Sequence, residues 1–416
     1  MKLPINIVLF LFAIFLLRFF PLYYLFIQNV FFTTHLISII IFLSLFFILL
    51  INKTHKRKKR TIFLNMEIIL LLFFFITQSI SIIGAINIPI FIQRYLKVII
   101  GLIVYLIVHL INRRQILKPL LITLLIGGFF SIFNQLLLSF FPNLYFNLGK
   151  ILIYSNVLDI TKANYNAGKL FDDSYLEIIV PILIYHLLKE KKPYSKFLIF
   201  CVIFIIGLLT ILSNFRYRLL TFIFSSCSTF FLFKIREKNS LNKFFGLLIS
   251  IFLILTILNP FIQQFFKHTT IDRLIEKEEF EDSSSISWRL KMFNKSIELA
   301  QANFFGVGLG NMFDYLPKKE VKDITVNTQI PLGALSAGPH NIFFQVLVDT
   351  GIIGLFSFIL LLIYFIRKDI FIIKTNRNKE KLTFIAIFWT LIFIVQFFPA
   401  INLTFYILFF MLRGII

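Results

Sequence analysis

Charged residues are scarce in this sequence: they occupy 15% of its positions, whereas about a quarter is usual for a soluble protein. They are also clustered, which leaves apolar runs of about 17 to 25 residues, each long enough to cross a bilayer as a helix. The runs are continuous and not alternating, which excludes a transmembrane β-barrel. The sequence therefore predicts an all-α fold, a polytopic transmembrane helical bundle.

Cysteines are equally few. Cys201 and Cys227 both lie within apolar runs, so neither a disulfide framework nor a metal site is expected. The sequence also lacks a zinc signature, a phosphate-binding loop and a nucleophile elbow. The acidic segment 276–282 does not have the spacing of a calcium loop and is interpreted as a solvated patch. No metal and no cofactor are predicted.

Basic residues are the exception, since the formal net charge is +22. They concentrate in short connectors between apolar runs, as the positive-inside rule describes for cytoplasmic loops, and this distribution argues against nucleic acid as a partner. The most basic connector, Asn52–Arg60, is assigned to the cytoplasm. Alternation then predicts a multi-pass protein of the cytoplasmic (inner) membrane with both termini cytoplasmic, whose first apolar run is a retained helix and not a cleaved signal peptide.

The apolar runs predict about twelve spans within a single membrane domain, 1–416. The spans are 4–20, 34–51, 62–83, 95–111, 117–141, 175–188, 197–213, 217–233, 244–260, 341–366, 383–397 and 399–413.

One connector is much longer than the others, and the segment 261–339 is predicted to be a large extracytoplasmic loop. A helix is expected in it from Ser287 to Asn303, with Ser285 or Ser287 as its cap. Its apolar stripe would consist of Trp288, Met292, Leu299 and Ala300. The glycines of 306–310 follow no strand, so they indicate a tight turn at the membrane surface and not a dinucleotide fingerprint.

Three residues of the outer face suggest chemistry: Arg216, Arg289 and His340. Arginine presents a fixed fork of donors that suits phosphate oxygens, and an outward arginine opposes the positive-inside bias. A histidine at a water boundary can act as an acid or base near neutral pH. The alternatives are that the arginines snorkel or form surface ion pairs, and that Pro339-His340-Asn341 is only a capped helix start.

Four further residues are candidates for supporting roles. Arg218 lies one step deeper than Arg216 and is either the functional arginine or a partner in an ion pair. Asn341 adjoins His340, and Asp172 and Asp173 lie close to a membrane mouth. Span interiors are expected to be nearly free of charge, with Glu177 and His186 as the nearest exceptions, and this disfavours a transporter or lipid-glycan flippase.

Three pieces of the chain together resemble the O-antigen ligase and O-antigen polymerase superfamily. Leu212–Arg216 is similar to the family's serine-arginine start of a span, with Phe215 where a serine is usual. Trp288–Asn311 resembles its arginine-led helix and glycine turn. Pro339-His340-Asn341, with Gly351 and Gly354 after it, resembles its histidine motif. The resemblance covers roughly residues 165–366.

The resemblance implies a metal-independent glycosyltransferase that acts on the outer face upon a glycan carried by a polyprenyl pyrophosphate. Arg216 and Arg289 would then hold the pyrophosphate, and His340 would position or deprotonate the acceptor hydroxyl. Leu355 and Phe356 stand where the ligase pattern has threonines, which favours a polymerase of O-antigen or capsule repeat units over a ligase that transfers the glycan to lipid A-core. Membrane lipids, a glycan or lipid-anchored acceptor and a chain-length regulator protein are the other expected partners.

Overall fold

The computed structural model of the protein describes residues 4–19, 24–27, 30–55, 66–111, 113–141, 144, 176–212, 216–234, 285–316, 339, 341–375, 378–395 and 403–416. These residues are predominantly helical, as predicted. Their α-helices are α1 (Ile5–Phe19), α2 (Thr34–His55), α3 (Met66–Ile80), α4 (Ile88–Leu110), α5 (Arg113–Phe140), α6 (Val180–Lys189), α7 (Pro193–Leu212), α8 (Arg216–Lys234), α9 (Ser285–Ala302), α10 (Ile342–Thr375), α11 (Lys379–Ile394) and α12 (Leu403–Ile415). Short 3₁₀ turns at Ser81–Gly84, Leu176–Ile179 and Met312–Tyr315 extend or join them.

A small β-hairpin in the connector between α1 and α2 departs from the all-α prediction. β1 (Tyr24–Ile27) and β2 (Val30–Thr33) pair antiparallel, with Tyr24 opposite Thr33. Both strands are rich in aromatic and β-branched residues, which favour an extended backbone. The connector therefore favours strands, which a prediction based only on the length of apolar runs does not detect.

Five of the described helical segments are long and apolar enough to cross a membrane, which agrees with a polytopic membrane protein. They are Met66–Gly84, Ile88–Leu110, Gln115–Leu137, Pro193–Ile211 and Ile342–Thr375. Shorter apolar helices occupy Ile5–Leu16, Ser38–Leu49, Arg218–Phe233 and Phe405–Ile415. The predicted span 244–260 lies outside the described residues, so the count of twelve stays a prediction.

The main core lies where α4, α10, α11 and α12 meet. α12 packs along α4 because Gly101 has no side chain, and a Cβ at this position would collide with the Phe410 ring. The rings of Phe365, Phe388 and Phe409 contact one another, with centroids 5.4 to 6.0 Å apart. Aromatic side chains thus fill the interior and supply much of the packing energy.

The two ends of the bundle agree with the predicted alternation of connectors. At one end Lys368 pairs with Glu67 at 2.5 Å, and Lys118 lies 4.0 Å from Glu380, which joins basic connectors assigned to the cytoplasm. At the opposite end, Tyr315 of the predicted outer loop donates a hydrogen bond to the Gly84 carbonyl over 2.6 Å. Which end faces the cytoplasm stays a prediction.

Helix α10 contains a kink, and the part that follows the kink is by itself slightly longer than a bilayer is thick. Residues 352–375 extend for about 36 Å, against about 30 Å of hydrocarbon. The helix kinks at Gly351, which has φ 68° and ψ −170°, and this kink lies beside the outer ends of α3 and α4. The turns of α10 that precede the kink do not continue along the same axis, because the rings of Phe343 and Phe358 lie with centroids 5.9 Å apart and Ile342 and Val346 are buried in the main core. The position of Asn341 at a membrane mouth stays a prediction.

Candidate functional site

The outer end of α10 begins with a side-chain cap. Oδ1 of Asn341 accepts hydrogen bonds from the backbone N–H groups of Phe343, at 2.9 Å, and Phe344, at 3.4 Å. This geometry satisfies two N–H groups that the first helical turn leaves without a partner. The helix-start interpretation of this motif is thereby confirmed for Asn341. His340 directly precedes the cap in the sequence and lies outside the described residues.

The cap gives a test of whether Asn341 has a chemical role as well. Replacing Asn341 by serine, which caps about as well, is expected to leave both protein stability and surface glycan unchanged. Replacing it by alanine is expected to cost about 1 kcal/mol of stability. Thermal unfolding of the purified protein and a glycan gel measure the two effects, and loss of glycan in the serine variant at normal stability would assign Asn341 a role beyond capping.

Helices α9 and α10 run side by side in the same direction. The rings of Phe293 and Phe344 stack with centroids 4.3 Å apart and planes 10° from parallel. Lower down, the Val307 N–H donates to the Val348 carbonyl over 2.9 Å. Arg289 precedes Phe293 by one helical turn, as His340 precedes Phe344 in the sequence. The backbone of Arg289 is therefore level with the beginning of α10, although the structure does not describe its side chain.

The glycine turn, residues 306–311, lies against the kink of α10. Gly306, Gly308 and Gly310 all have positive φ, at 80°, 86° and 76°, which L-residues rarely adopt. At the kink, the carbonyls of Val348 and Asp349 lose the helical partners they would have in a straight helix. The N–H groups of Val307 and Gly308 take their place, at 2.9 and 3.1 Å, so the turn completes the hydrogen bonding of α10.

The glycine turn is also bound to the outer ends of α3 and α4. The Asn87 N–H donates to Oδ1 of Asn311 over 2.5 Å, while Oδ1 of Asn87 itself caps α4 by accepting from Ile90 N–H. A Cβ on Gly308 would lie 2.7 Å from that of Ala85. Beneath the turn is a small hydrophobic cluster of Met292, Val307, Met312, Leu316 and Val348. This cluster packs the middle of the predicted outer loop against α10. The helix predicted from Ser287 to Asn303 is present as α9, Ser285–Ala302.

A buried carboxylate stands at the centre of these contacts. Oδ1 of Asp349 accepts from Gly310 N–H at 3.1 Å, and Oδ2 accepts from Nε2 of Gln345 at 2.7 Å. Asp349 is 8% exposed and interacts electrostatically with Arg94 of α4. A Cβ on Gly310 would lie 3.3 Å from Nε of Arg94, so this guanidinium packs directly against the turn.

The expectation that only Glu177 and His186 interrupt the apolar spans was therefore wrong. Asp349 and Asp369 are both buried within α10. The signal was visible in the sequence, because an acidic residue inside an apolar run rarely lacks a partner or a role. Neither carboxylate lies near mid-helix, and residues 350–366 carry no charge.

Arg216 is the first residue of α8, and the structure describes its backbone but not its side chain. α8 packs mainly against α11, and its rings stack there, with Phe224 and Phe393 centroids 4.2 Å apart. The approach of Arg216 to Arg289 stays a prediction. Arg218, by contrast, is 1% exposed and is engaged by other groups of the protein.

The segment before α6 contributes a second buried acidic residue beside α8. Glu177 is fully buried, and its carbonyl accepts a hydrogen bond from Ser225 Oγ at 3.4 Å. α8 thus contacts the turn Leu176–Ile179, and Ser225 is the residue that reaches Glu177. Asp172 and Asp173, just upstream in the sequence, lie outside the described residues.

These features define a helical membrane protein in which an outer loop folds back onto the beginning of a long span. Residues 200–359 match the family model described as O-antigen ligase. The matched range contains Arg216, Arg289, His340 and the glycine turn, and it confirms the resemblance to the O-antigen ligase and polymerase superfamily. The match indicates glycan processing at a membrane, of the ligase or polymerase type. No curated protein matches the chain.

Proposed function

We propose that this protein is a glycosyltransferase that polymerises lipid-linked repeat units of a surface polysaccharide, O-antigen or capsule, on the outer face of the cytoplasmic membrane. The observation that supports this most is the parallel packing of α9 and α10. The Phe293–Phe344 stack holds the beginnings of the two helices together, one turn below Arg289. Arg289, which would bind phosphate, and His340, which would accept a proton, are therefore expected to lie side by side at the beginnings of α9 and α10.

Helix polarity favours an anion at this place. Arg216 begins α8, Arg289 lies in the second turn of α9, and His340 comes immediately before the cap of α10. The N-terminal ends of helices carry partial positive charge and free N–H groups, both of which stabilise phosphate oxygens. A pyrophosphate that approaches these ends would meet two arginines in addition to the helix dipoles.

In the proposed reaction, the hydroxyl oxygen of the acceptor sugar attacks the anomeric carbon of the donor glycan. The bond from that carbon to the pyrophosphate oxygen breaks, and the polyprenyl pyrophosphate leaves with the electron pair. His340 takes the proton from the acceptor hydroxyl as general base. Arg216 and Arg289 stabilise the negative charge that develops on the leaving group. The acceptor is a second lipid-linked glycan in a polymerase and a lipid A-core sugar in a ligase.

The proposal is tested by replacing His340 and Arg289 by alanine, each in cells that lack the native gene. Both variants are expected to abolish long surface glycan, because either change removes a group that acts on the reacting atoms. A glycan gel shows the result, with membrane expression of each variant verified. Lys295→Ala is the matched control, since Lys295 is a cation on the same helix that pairs with Glu298 at 2.9 Å; it should keep the full ladder.

The banding pattern separates the alternatives. Glycan that collapses to a single repeat on the lipid anchor identifies a polymerase. Long polymer that accumulates on the polyprenyl carrier without reaching the anchor identifies a ligase. A full-length ladder in both alanine variants would contradict the assignment of His340 and Arg289 and favour a transporter.

A further inference from the structure

We propose that Asp349 is a positioning residue: it fixes the glycine turn to α10 and thereby sets where α9 presents Arg289 relative to the start of α10. This inference rests on the proposed function for its catalytic consequence. The geometric part concerns the fold alone and can be tested separately. Neither the family match nor the predicted chemistry assigns Asp349 a role.

The first step of the argument is that Asp349 joins both sides of the contact. Its carbonyl accepts from Gly308 N–H at 3.1 Å, and its carboxylate accepts from Gly310 N–H at 3.1 Å. The same carboxylate binds Gln345, one turn earlier on α10, at 2.7 Å. Asp349 thus accepts hydrogen bonds from two N–H groups of the turn, one with its carbonyl and one with its carboxylate. Because the carboxylate also binds Gln345, it links the turn to α10 immediately before the kink.

The second step is that a carboxylate suits this place better than its neutral isostere. Both oxygens of Asp349 accept, one from a backbone N–H and one from a side-chain amide. Asparagine brings one acceptor and one donor group, so it would keep both contacts only if the Gln345 amide turned over to present its oxygen. The guanidinium of Arg94, which packs on Gly310, favours the ionised acid. Asp349→Asn is therefore nearly equal in size but removes the charge that faces Arg94 and weakens the joint.

The third step is that a small rotation at the turn displaces the distant end of α9, where Arg289 lies. Arg289 lies 14 residues before Asn303, where α9 enters the turn through the hydrogen bond from Gly306 N–H to the Asn303 carbonyl, 2.8 Å long. That length of helix is about 21 Å, so a tilt of about 10° at the turn, if it also opens the Phe293–Phe344 stack, moves the Arg289 backbone by about 4 Å. Misplacement by about 1 Å can reduce a reaction rate about 100-fold. A loosened joint would thus affect catalysis from a distance.

The fourth step is that the protein should remain folded without this joint. The contacts of Asn311 with Asn87 and of Tyr315 with Gly84 do not involve Asp349. The hydrophobic cluster around Val307 and Met292 also persists in an asparagine variant. Asp349→Asn is therefore expected to change the direction of α9 more than the stability of the bundle.

The matched control is Glu67→Gln. Glu67 is also a buried carboxylate, and it binds Lys368 of the same helix α10, but at the opposite end of the bundle. Spin labels on cysteines introduced at Leu290 and Ile83, which are 52% and 72% exposed, report the position of α9 relative to α3. Cys201 and Cys227 are first replaced by alanine, and the full chain is studied in lipid nanodiscs.

We expect Asp349→Asn to shift or broaden the label distance by about 4 Å and Glu67→Gln to leave it unchanged. In a polymerisation assay with purified lipid-linked repeat units, Asp349→Asn should lower kcat about 100-fold with little change in KM, because the arginine is retained but misplaced. Gln345→Leu, which removes only one of the two carboxylate contacts, should shift the distance in the same direction by a smaller amount. If the Asp349→Asn protein is not expressed in the membrane, the Gln345→Leu protein is used for the distance measurement in its place.

Three outcomes would overturn the inference. An unchanged label distance in Asp349→Asn and Gln345→Leu contradicts the positioning role, whatever reaction the protein performs. A shifted distance with normal kcat contradicts the link to catalysis. An equal shift in Glu67→Gln shows a general response to loss of a buried charge. Failure of the wild-type protein to polymerise would instead refute the proposed function, while the distance measurement still tests the joint.

Discussion

Replacing Gly351 by alanine is expected to separate the glycine turn from α10 and to abolish long surface glycan. Gly351 has φ 68° and ψ −170°, a combination that is essentially restricted to glycine and costs other residues about 1 to 3 kcal/mol. A Cβ at this position would also collide with the carbonyl oxygen of Phe304, at the junction of α9 and the turn. Because the same methyl group causes both the backbone strain and the collision, we expect a loss of at least about 2 kcal/mol.

Gly207→Ala provides the control for this substitution. Gly207 lies within α7, and its nearest neighbour would be the Phe222 ring, 3.2 Å from a new Cβ. Since a side-chain ring can shift by a few tenths of an ångström, only a small change in stability is expected there. Thermal unfolding of the purified proteins and the glycan gel give the two readouts. Normal unfolding temperature and a full ladder for Gly351→Ala would show that the kink is dispensable.

Removing the Asp369 carboxylate is expected to lower stability by about 3 to 5 kcal/mol, because it leaves a buried arginine without its counter-charge. Nη1 of Arg413 donates to both carboxylate oxygens of Asp369 at 2.9 Å, and Nε1 of Trp389 donates to one of them at the same distance. The guanidinium carbon lies 3.9 Å from the centroid of Phe365 and 4.8 Å from that of Phe388. The C-terminal helix is thus attached to α10 by one ion pair in an aromatic environment.

The double variant Asp369→Leu with Arg413→Met is the control for this prediction. Because it removes both charges, it should recover most of the stability lost in Asp369→Leu alone. Thermal unfolding of the single and double variants measures the difference. A double variant that is no more stable than the single one would show that the loss comes from packing and not from an unpaired charge.

The apolar runs predicted the helices well, because residues that can span a bilayer must form helices and their length is fixed by its thickness. The boundaries were less accurate. α10 was expected to end at Ile366, yet it continues to Thr375, since Lys368 and Asp369 are paired and do not interrupt the helix. α4 begins at Ile88 instead of residue 95, after the cap by Asn87.

The outer site was predicted only in part, for a different physical reason. Single residues such as Asn341 and the glycines of 306–310 have local signatures, a cap and a turn, which sequence reveals. The joint at Asp349 has none, because its partners Gly310 and Arg94 are distant in the chain and meet only through the kink at Gly351. Contacts of this kind depend on the packing of helices and not on their propensity.

Helix α10 also determines how far the glycine turn lies from the opposite end of the bundle. The part that follows the kink is held near both of its ends, by the glycine turn next to Gly351 and by the pair of Lys368 with Glu67. One residue inserted between these points would advance the helix by about 1.5 Å and rotate its ends by about 100°, so both attachments could not form together. The distance between the Lys368–Glu67 pair and the glycine turn is therefore set by a number of residues, and the bilayer has to adapt to it.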